Sequence, residues 1–170
     1  MPASAASPQS FASEQGSLSL TPVVQGLQHP WALVFLPDRQ GMLVTERPGN
    51  LRMVSPDGKL SAPLSGVPEV WANGQGGLLD MALSPDFKQD RRVYLSYAEG
   101  GSRDNGTAIA RGRLGAASLE EVEVIFRNFT RKDTPMHYGG RMAFLPDGTL
   151  LLTTGEGFDY RESAQDRVSG

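Results

Sequence analysis

Chemistry in this chain would centre on His137. It stands in His137-Tyr138-Gly139-Gly140, where a loop enters an apolar strand. An imidazole titrates near neutrality, so it can take the proton of an alcohol while hydride leaves the same carbon. Glu156 closes the following strand, in Thr154-Gly155-Glu156-Gly157, and a carboxylate there could orient the ring and balance its cationic form. Gln75 lies in Asn73-Gly74-Gln75-Gly76-Gly77, whose glycines would let backbone approach a ligand while the amide donates and accepts toward a hydroxyl group. Tyr138 adjoins His137 and is expected at the mouth of the same site. By residue type alone each has a plainer reading: a surface histidine, a solvated acid, an exposed glutamine on a glycine turn.

Other residues invite less. Arg141 opens a strand, where an arginine packs its stem and pairs with a carboxylate more readily than it binds an anion. His29-Pro30-Trp31 reads as structural, with Trp31 filling space between layers. Glu156, Asp159, Glu162 and Asp166 form an acidic stretch without the spacing of a calcium-binding EF-hand loop, and so read as a solvated loop. No HExxH, P-loop, GxGxxG or serine elbow is present. The absence of cysteine removes disulfides, thiolate metal sites and a cysteine nucleophile.

The elements that must position these groups follow a repeated phrase: an apolar strand, Pro-Asp, a few turn residues, a second apolar strand. It occurs at 31–46, 78–99 and 141–156, with Asp38, Asp86 and Asp147 spaced 48 and 61 apart. A further Pro56-Asp57 lies inside the first unit. Proline presets φ for the first central turn position, and aspartate bonds back to the backbone two residues on. Arg47-Pro48-Gly49-Asn50 reads as a type II turn. Strands are expected at Trp31–Phe35, Met42–Glu46, Leu51–Val54, Leu78–Leu83, Val93–Tyr97, Ala108–Leu114, Val122–Phe126, Arg141–Phe144 and Leu150–Thr154. Ser118–Val122 alone could pass for a helical turn.

Twenty glycines and 12 prolines among 170 residues suit short strands and tight turns. Strand clusters recurring about every 50 residues suggest blades of a β-propeller, for which this length supplies two to three. A β-sandwich of irregular hairpins is the alternative. The balance of 16 basic and 19 acidic residues argues against nucleic acid as a partner. No apolar run reaches the ~18 residues of a membrane span. Residues 1–22 read as a flexible tail, and 23–170 as the folded domain. The tail lacks the charged and apolar regions of an intact signal peptide, although Ala3-Ser4-Ala5 fits a cleavage-site pattern.

The phrases HPWALVFLPD (29–38), LVTERPGNLRMV (43–54), NGQGGLLDMALSPDFK (73–88) and HYGGRMAFLPDGTLLLTTGE (137–156), with AQD at 164–166, resemble the soluble glucose/sorbosone dehydrogenases. This family includes aldose sugar dehydrogenases that use pyrroloquinoline quinone (PQQ). The resemblance runs from about Leu27 onward, in the family's order and spacing. It implies an all-β fold, the N-terminal part of a six-bladed propeller built of four-stranded antiparallel blades. It implies oxidation of an aldose C1 hydroxyl to the lactone, with hydride passing to the quinone. His137 aligns with the general base and Gln75 with a substrate-contacting glutamine. Glu156 stands where the family usually has aspartate, and Met136 where some members carry an acid. PQQ and calcium are the implied cofactors, their donors coming mainly from later blades. This stretch alone is therefore expected to be inactive. The resemblance further implies a periplasmic or secreted location. The electron acceptor is unspecified, and homodimerisation of the full-length protein is left open. A non-catalytic ligand-binding propeller and a calcium-dependent lactonase-type hydrolase are the alternatives.

Overall fold

A computed structural model describes residues 8–128, 131–159 and 161–163. Each strand-rich phrase folds as a separate antiparallel sheet. An exposed hairpin comes first, β1 (Gln9–Ser13) with β2 (Gly16–Leu20). It lies where the composition reads as a tail. Alternation of serine with Phe11, Leu18 and Leu20 permits the pairing, but every residue of both strands is exposed.

A three-stranded sheet follows: β3 (Pro30–Phe35), β4 (Met42–Glu46) and β5 (Asn50–Val54). Next is a four-stranded meander of β6 (Leu78–Leu83), β7 (Arg92–Gly101), β8 (Asp104–Leu114) and β9 (Leu119–Arg127). The last sheet pairs β10 (Gly139–Phe144) with β11 (Leu150–Thr154). Every strand expected from β3 onward is found, most of them longer by one to a few residues. Ser118–Val122 belongs to strand rather than helix, since Leu119 pairs with Leu114. The one α-helical turn among the described residues, α1 (Phe87–Asp90), instead follows Pro85-Asp86, with Asp86 at its N-cap position.

The turn chemistry expected of the Pro-Asp phrases is seen at Asp147, whereas Asp38 takes φ 56° in a short 3-10 helix and pairs with Lys88, and Asp86 precedes a helical turn without a side-chain cap bond. Thr149 N–H donates to Asp147 Oδ1 at 2.9 Å, the expected bond two residues on. The β4–β5 turn, however, is closed by Gly49 N–H donating to Glu46 O at 2.9 Å. Arg47 and Pro48 are thus the central residues, one earlier than a type II reading requires. Glu46 pairs with Asn50, which leaves a three-residue loop, and Gly49 takes φ 118° as its bulge residue.

The sheets stack face to face, with β6 packed between β3 and β10. Between the three- and four-stranded sheets lies the main core, which includes Leu43, Leu51, Leu78, Met81, Phe87, Val93, Leu95 and Tyr97. A smaller cluster joins the four-stranded sheet to the last one: Leu79, Ala98 and Tyr138, with Trp31 and Trp71 against them.

One device recurs in every unit. Each first strand carries an extra residue near its start, between Pro30 and Ala32, Leu78 and Met81, and Gly139 and Met142. At each bulge a hydroxyl from the next strand accepts the freed N–H: Ala32 to Thr45 Oγ1 (3.1 Å), Asp80 to Ser96 Oγ (3.0 Å) and Arg141 to Thr153 Oγ1 (3.0 Å). Positions 32, 80 and 141 repeat the 48- and 61-residue spacing of the Pro-Asp turns. Two of these hydroxyls also donate into the following unit, Thr45 to Leu79 O at 2.7 Å and Ser96 to Gly140 O at 2.6 Å. Radially stacked antiparallel sheets with repeated joints of this kind are consecutive blades, and the chain is part of a β-propeller. No helix among the described residues is long and apolar enough to cross a membrane.

Candidate active site

The bulges leave the loops that enter β6 and β10 side by side at one end of the strands. Gln75 N–H donates to Pro135 O, and His137 N–H donates to Gln75 Oε1, both at 2.9 Å. The two loops therefore hold each other through a reciprocal pair of bonds. The glycines around Gln75 permit close backbone packing. A Cβ on Gly74 would lie 2.5 Å from Pro135 O, and one on Gly76 would lie 2.6 Å from Trp71 O. Arg47 fastens the loop from its other side, its Nη1 donating to Gly74 O at 2.7 Å and Gly76 O at 3.3 Å.

His137 has φ 50°, in the left-handed region that a side chain seldom occupies. That turn carries its imidazole to Glu156, with Nδ1 2.8 Å from Oε1. The pair is sheltered on the acid side, with Glu156 16% exposed and His137 36% exposed. The hydrogen bond from His137 holds the Glu156 carboxyl below the usual glutamate range, with backbone N–H donors adding to the effect. An ionised carboxylate accepts only, so Nδ1 must carry the proton, and Nε2 is left as the acceptor. Phe158 packs edge-on to the ring, centroids 5.3 Å apart. Gly155 must be glycine, because a Cβ there would stand 2.1 Å from His137 O. Thr134 Oγ1 donates to Gly157 O at 2.5 Å and joins the two loops beneath the pair.

The structure brings together His137, Glu156 and Gln75. It turns Tyr138 away: the ring is 3% exposed, within the small core cluster. Its hydroxyl donates to Asn105 Oδ1 at 2.8 Å, and its carbonyl accepts from Thr107 Oγ1 at 2.7 Å. The expectation that Tyr138 lines a mouth is not met, because the left-handed turn at His137 sends the next side chain inward. Met136 is exposed beside His137 and supplies no carboxylate. Arg141 pairs with buried Asp80 at 3.0 Å and lies over Trp31, the structural role expected of it. Asp159 and Glu162 are exposed; Asp166 and the AQD phrase lie outside the described residues.

Sequence reasoning missed Asp80, which accepts from both Arg141 and Met142 N–H, and Lys132, Asn105 and Thr107 beneath the His137 loop. Asp80 interrupts an apolar strand, a visible signal. Lys132, in a polar loop, carries none.

A cleft of about 860 Å³ lies elsewhere, between the Pro85-Asp86 and Pro146-Asp147 turns at the far ends of β6 and β10. Near His137 the cations are engaged: Lys132 with two carbonyls, Arg47 with the Gln75 loop, and Arg141 with Asp80. Among the described residues no group of three His, Cys, Asp or Glu could hold a metal ion. A tricarboxylate quinone and a calcium ion need such donors, so the residues described here do not fit either group. What they build is an imidazole oriented by a carboxylate.

Fold and site together define a propeller with a histidine–carboxylate pair at the entrance of an inner strand. Residues 27–170 match the Glucose / Sorbosone dehydrogenase family, and the chain belongs to it. It is 50% identical over 143 residues to the aldose sugar dehydrogenase YliI of Escherichia coli (strain K12), covering 82% of this chain and 38% of that protein. Identity to quinoprotein glucose dehydrogenase B of Acinetobacter calcoaceticus is 31% over 145 residues, covering 79% of this chain and 30% of that one. The PQQ-bound aldose sugar dehydrogenase of Streptomyces coelicolor superposes with a TM-score of 0.72 at 33% identity, over 89% of this chain and 45% of that one. The chain thus spans less than half the length of these relatives.

Proposed function

We propose that the protein carrying this chain oxidises an aldose at its C1 hydroxyl to the lactone, with His137 as general base. The observation that carries this reading is the His137–Glu156 hydrogen bond, which fixes the Nδ1–H tautomer and leaves Nε2 to accept a proton. Glu156 keeps the ring oriented and stabilises the imidazolium formed when the sugar hydroxyl is deprotonated. Gln75 Oε1 accepts from the His137 N–H, which leaves the Nε2 amide hydrogens to donate to the substrate. PQQ, when bound, supplies the hydride acceptor, and calcium accompanies it by family resemblance. Both belong to the reading through the relatives' names and that resemblance, and no contact with them is assigned to this stretch. The resemblance also carries a periplasmic or secreted location, which fractionation of the native protein tests.

Reconstitution of the whole protein with PQQ and calcium, glucose as substrate and an artificial electron acceptor as readout tests the function. A folded, cofactor-saturated protein without turnover on any aldose tried would overturn it. His137→Ala is expected to lower kcat by roughly 10²–10⁴-fold while cofactor binding, followed by fluorescence quenching, is kept. Equal loss of both would make His137 structural.

A further inference from the structure

Lys132 is the one fully buried cation among the described residues, 7% exposed, and proton removal gives it no task. Its Nζ donates to the carbonyls of Met136 and His137, the latter at 3.0 Å, and lies 3.8 Å from the centroid of the Tyr138 ring. Its backbone exchanges both hydrogen bonds with Asn105, at 2.8 and 2.9 Å. Asn105 in turn accepts from the Tyr138 hydroxyl. Lysine, asparagine and tyrosine thus form a closed ring under the loop that carries His137.

We propose that Lys132 is a positioning residue for the base: its ammonium holds the Met136 and His137 carbonyls inward and so fixes the left-handed turn that presents the imidazole to Glu156. The inference rests on the reading of His137 as base. Left-handed φ at His137, ahead of the Gly139–Thr154 pair that opens β10, leaves Met136 and His137 outside the ladder. Their carbonyls need donors from elsewhere, since an unpaired buried carbonyl is costly. Lys132 supplies them with charge-assisted bonds, and the tyrosine face adds a cation–π contact.

The choice of a cation is itself informative. Among the described residues no carboxylate lies within ion-pair distance of Nζ; Glu156 acts on it only from farther away. Burial accordingly pushes the amine down to about 8. An apolar side chain of similar length would fill the space without that penalty. What only the ammonium provides is the pair of bonds to the residues that carry and precede the base.

Lys132→Met in the whole, cofactor-free protein tests this by NMR of the His137 Nδ1–H proton, assigned by its disappearance in His137→Gln. The expected result is a folded variant in which that resonance is lost, with kcat after reconstitution down at least tenfold and KM within threefold. Lys132→Arg, which keeps two donors for the two carbonyls, should recover the resonance and part of kcat. A folded Lys132→Met that keeps the resonance and turns over within twofold of the parent overturns the proposal. So does a variant whose only change is a lower Tm. If Lys132→Met does not fold, Lys132→Gln is read by the same resonance and the same criteria. Turnover that survives His137→Ala would remove the base reading, yet leaves the NMR result on Lys132 to be judged separately.

Discussion

At the scale of single residues, the protonation states are set by partners. Glu156 is held below the usual glutamate range and stays ionised through neutral pH, so the His137 tautomer is fixed wherever the protein works. Glu156→Gln can present either amide atom to Nδ1 and no longer enforces that choice. It is expected to lower kcat by about 10–10²-fold, measured at saturating sugar, with little change in KM. Lys132 has the opposite sign of linkage. Its amine titrates near 8 in the folded protein and at 10.5 when unfolded. Below pH 8 both states are protonated and the cost of burying the charge is fully present. Between 8 and 10.5 the unfolded state binds more protons, so stability rises with pH, by at most about 1.4 kcal/mol per pH unit from this group. Tyr138, itself pushed up to about 12 by burial, stays neutral through that window, and Glu156 stays ionised. Urea denaturation at several pH values should show the rise in the parent and its loss in Lys132→Met.

At the scale of elements, the site is a junction of loops whose backbones touch. Gly155→Ala would drive a methyl group into His137 O, so the loop must shift. A cost of roughly 1–3 kcal/mol is expected in denaturant unfolding, together with loss of kcat. Gly101→Ala, where nothing lies within 4 Å of the added methyl and φ is not positive, serves as the control for loss of a glycine without a clash. This is also where the sequence was most and least legible. Pro-Asp turns and apolar alternation mark β3 to β11 because those signals are local. His137, Glu156 and Gln75 stand out because their residue types differ from the strands around them. The β1–β2 hairpin escaped because its composition is that of a solvated chain, and the inward turn of Tyr138 because it depends on a left-handed residue before it. Lys132 was invisible for a related reason. Its partners are carbonyls, which any sequence supplies, and only the fold says which ones point at it.

At the scale of the molecule, stacking is secured by few polar bonds in an otherwise apolar contact. Thr45→Val and Ser96→Ala each remove a hydroxyl that is buried and bonded on both sides. Each is expected to cost about 1–3 kcal/mol, read from thermal or urea unfolding. The two should add, because they serve separate joints. Thr153 stands at the equivalent place in the last sheet and donates to Arg141 O of its own sheet at 3.3 Å. The joint therefore behaves as a lock and key one oxygen wide. The bulge frees an N–H that turns the hydroxyl, and the turned hydroxyl seeks a carbonyl one sheet away. Units that keep both parts can be exchanged or duplicated in register without redesign of their faces. A unit spliced in with valine at that place would keep its apolar contacts and lose the bond at the seam, and is expected to stack less stably.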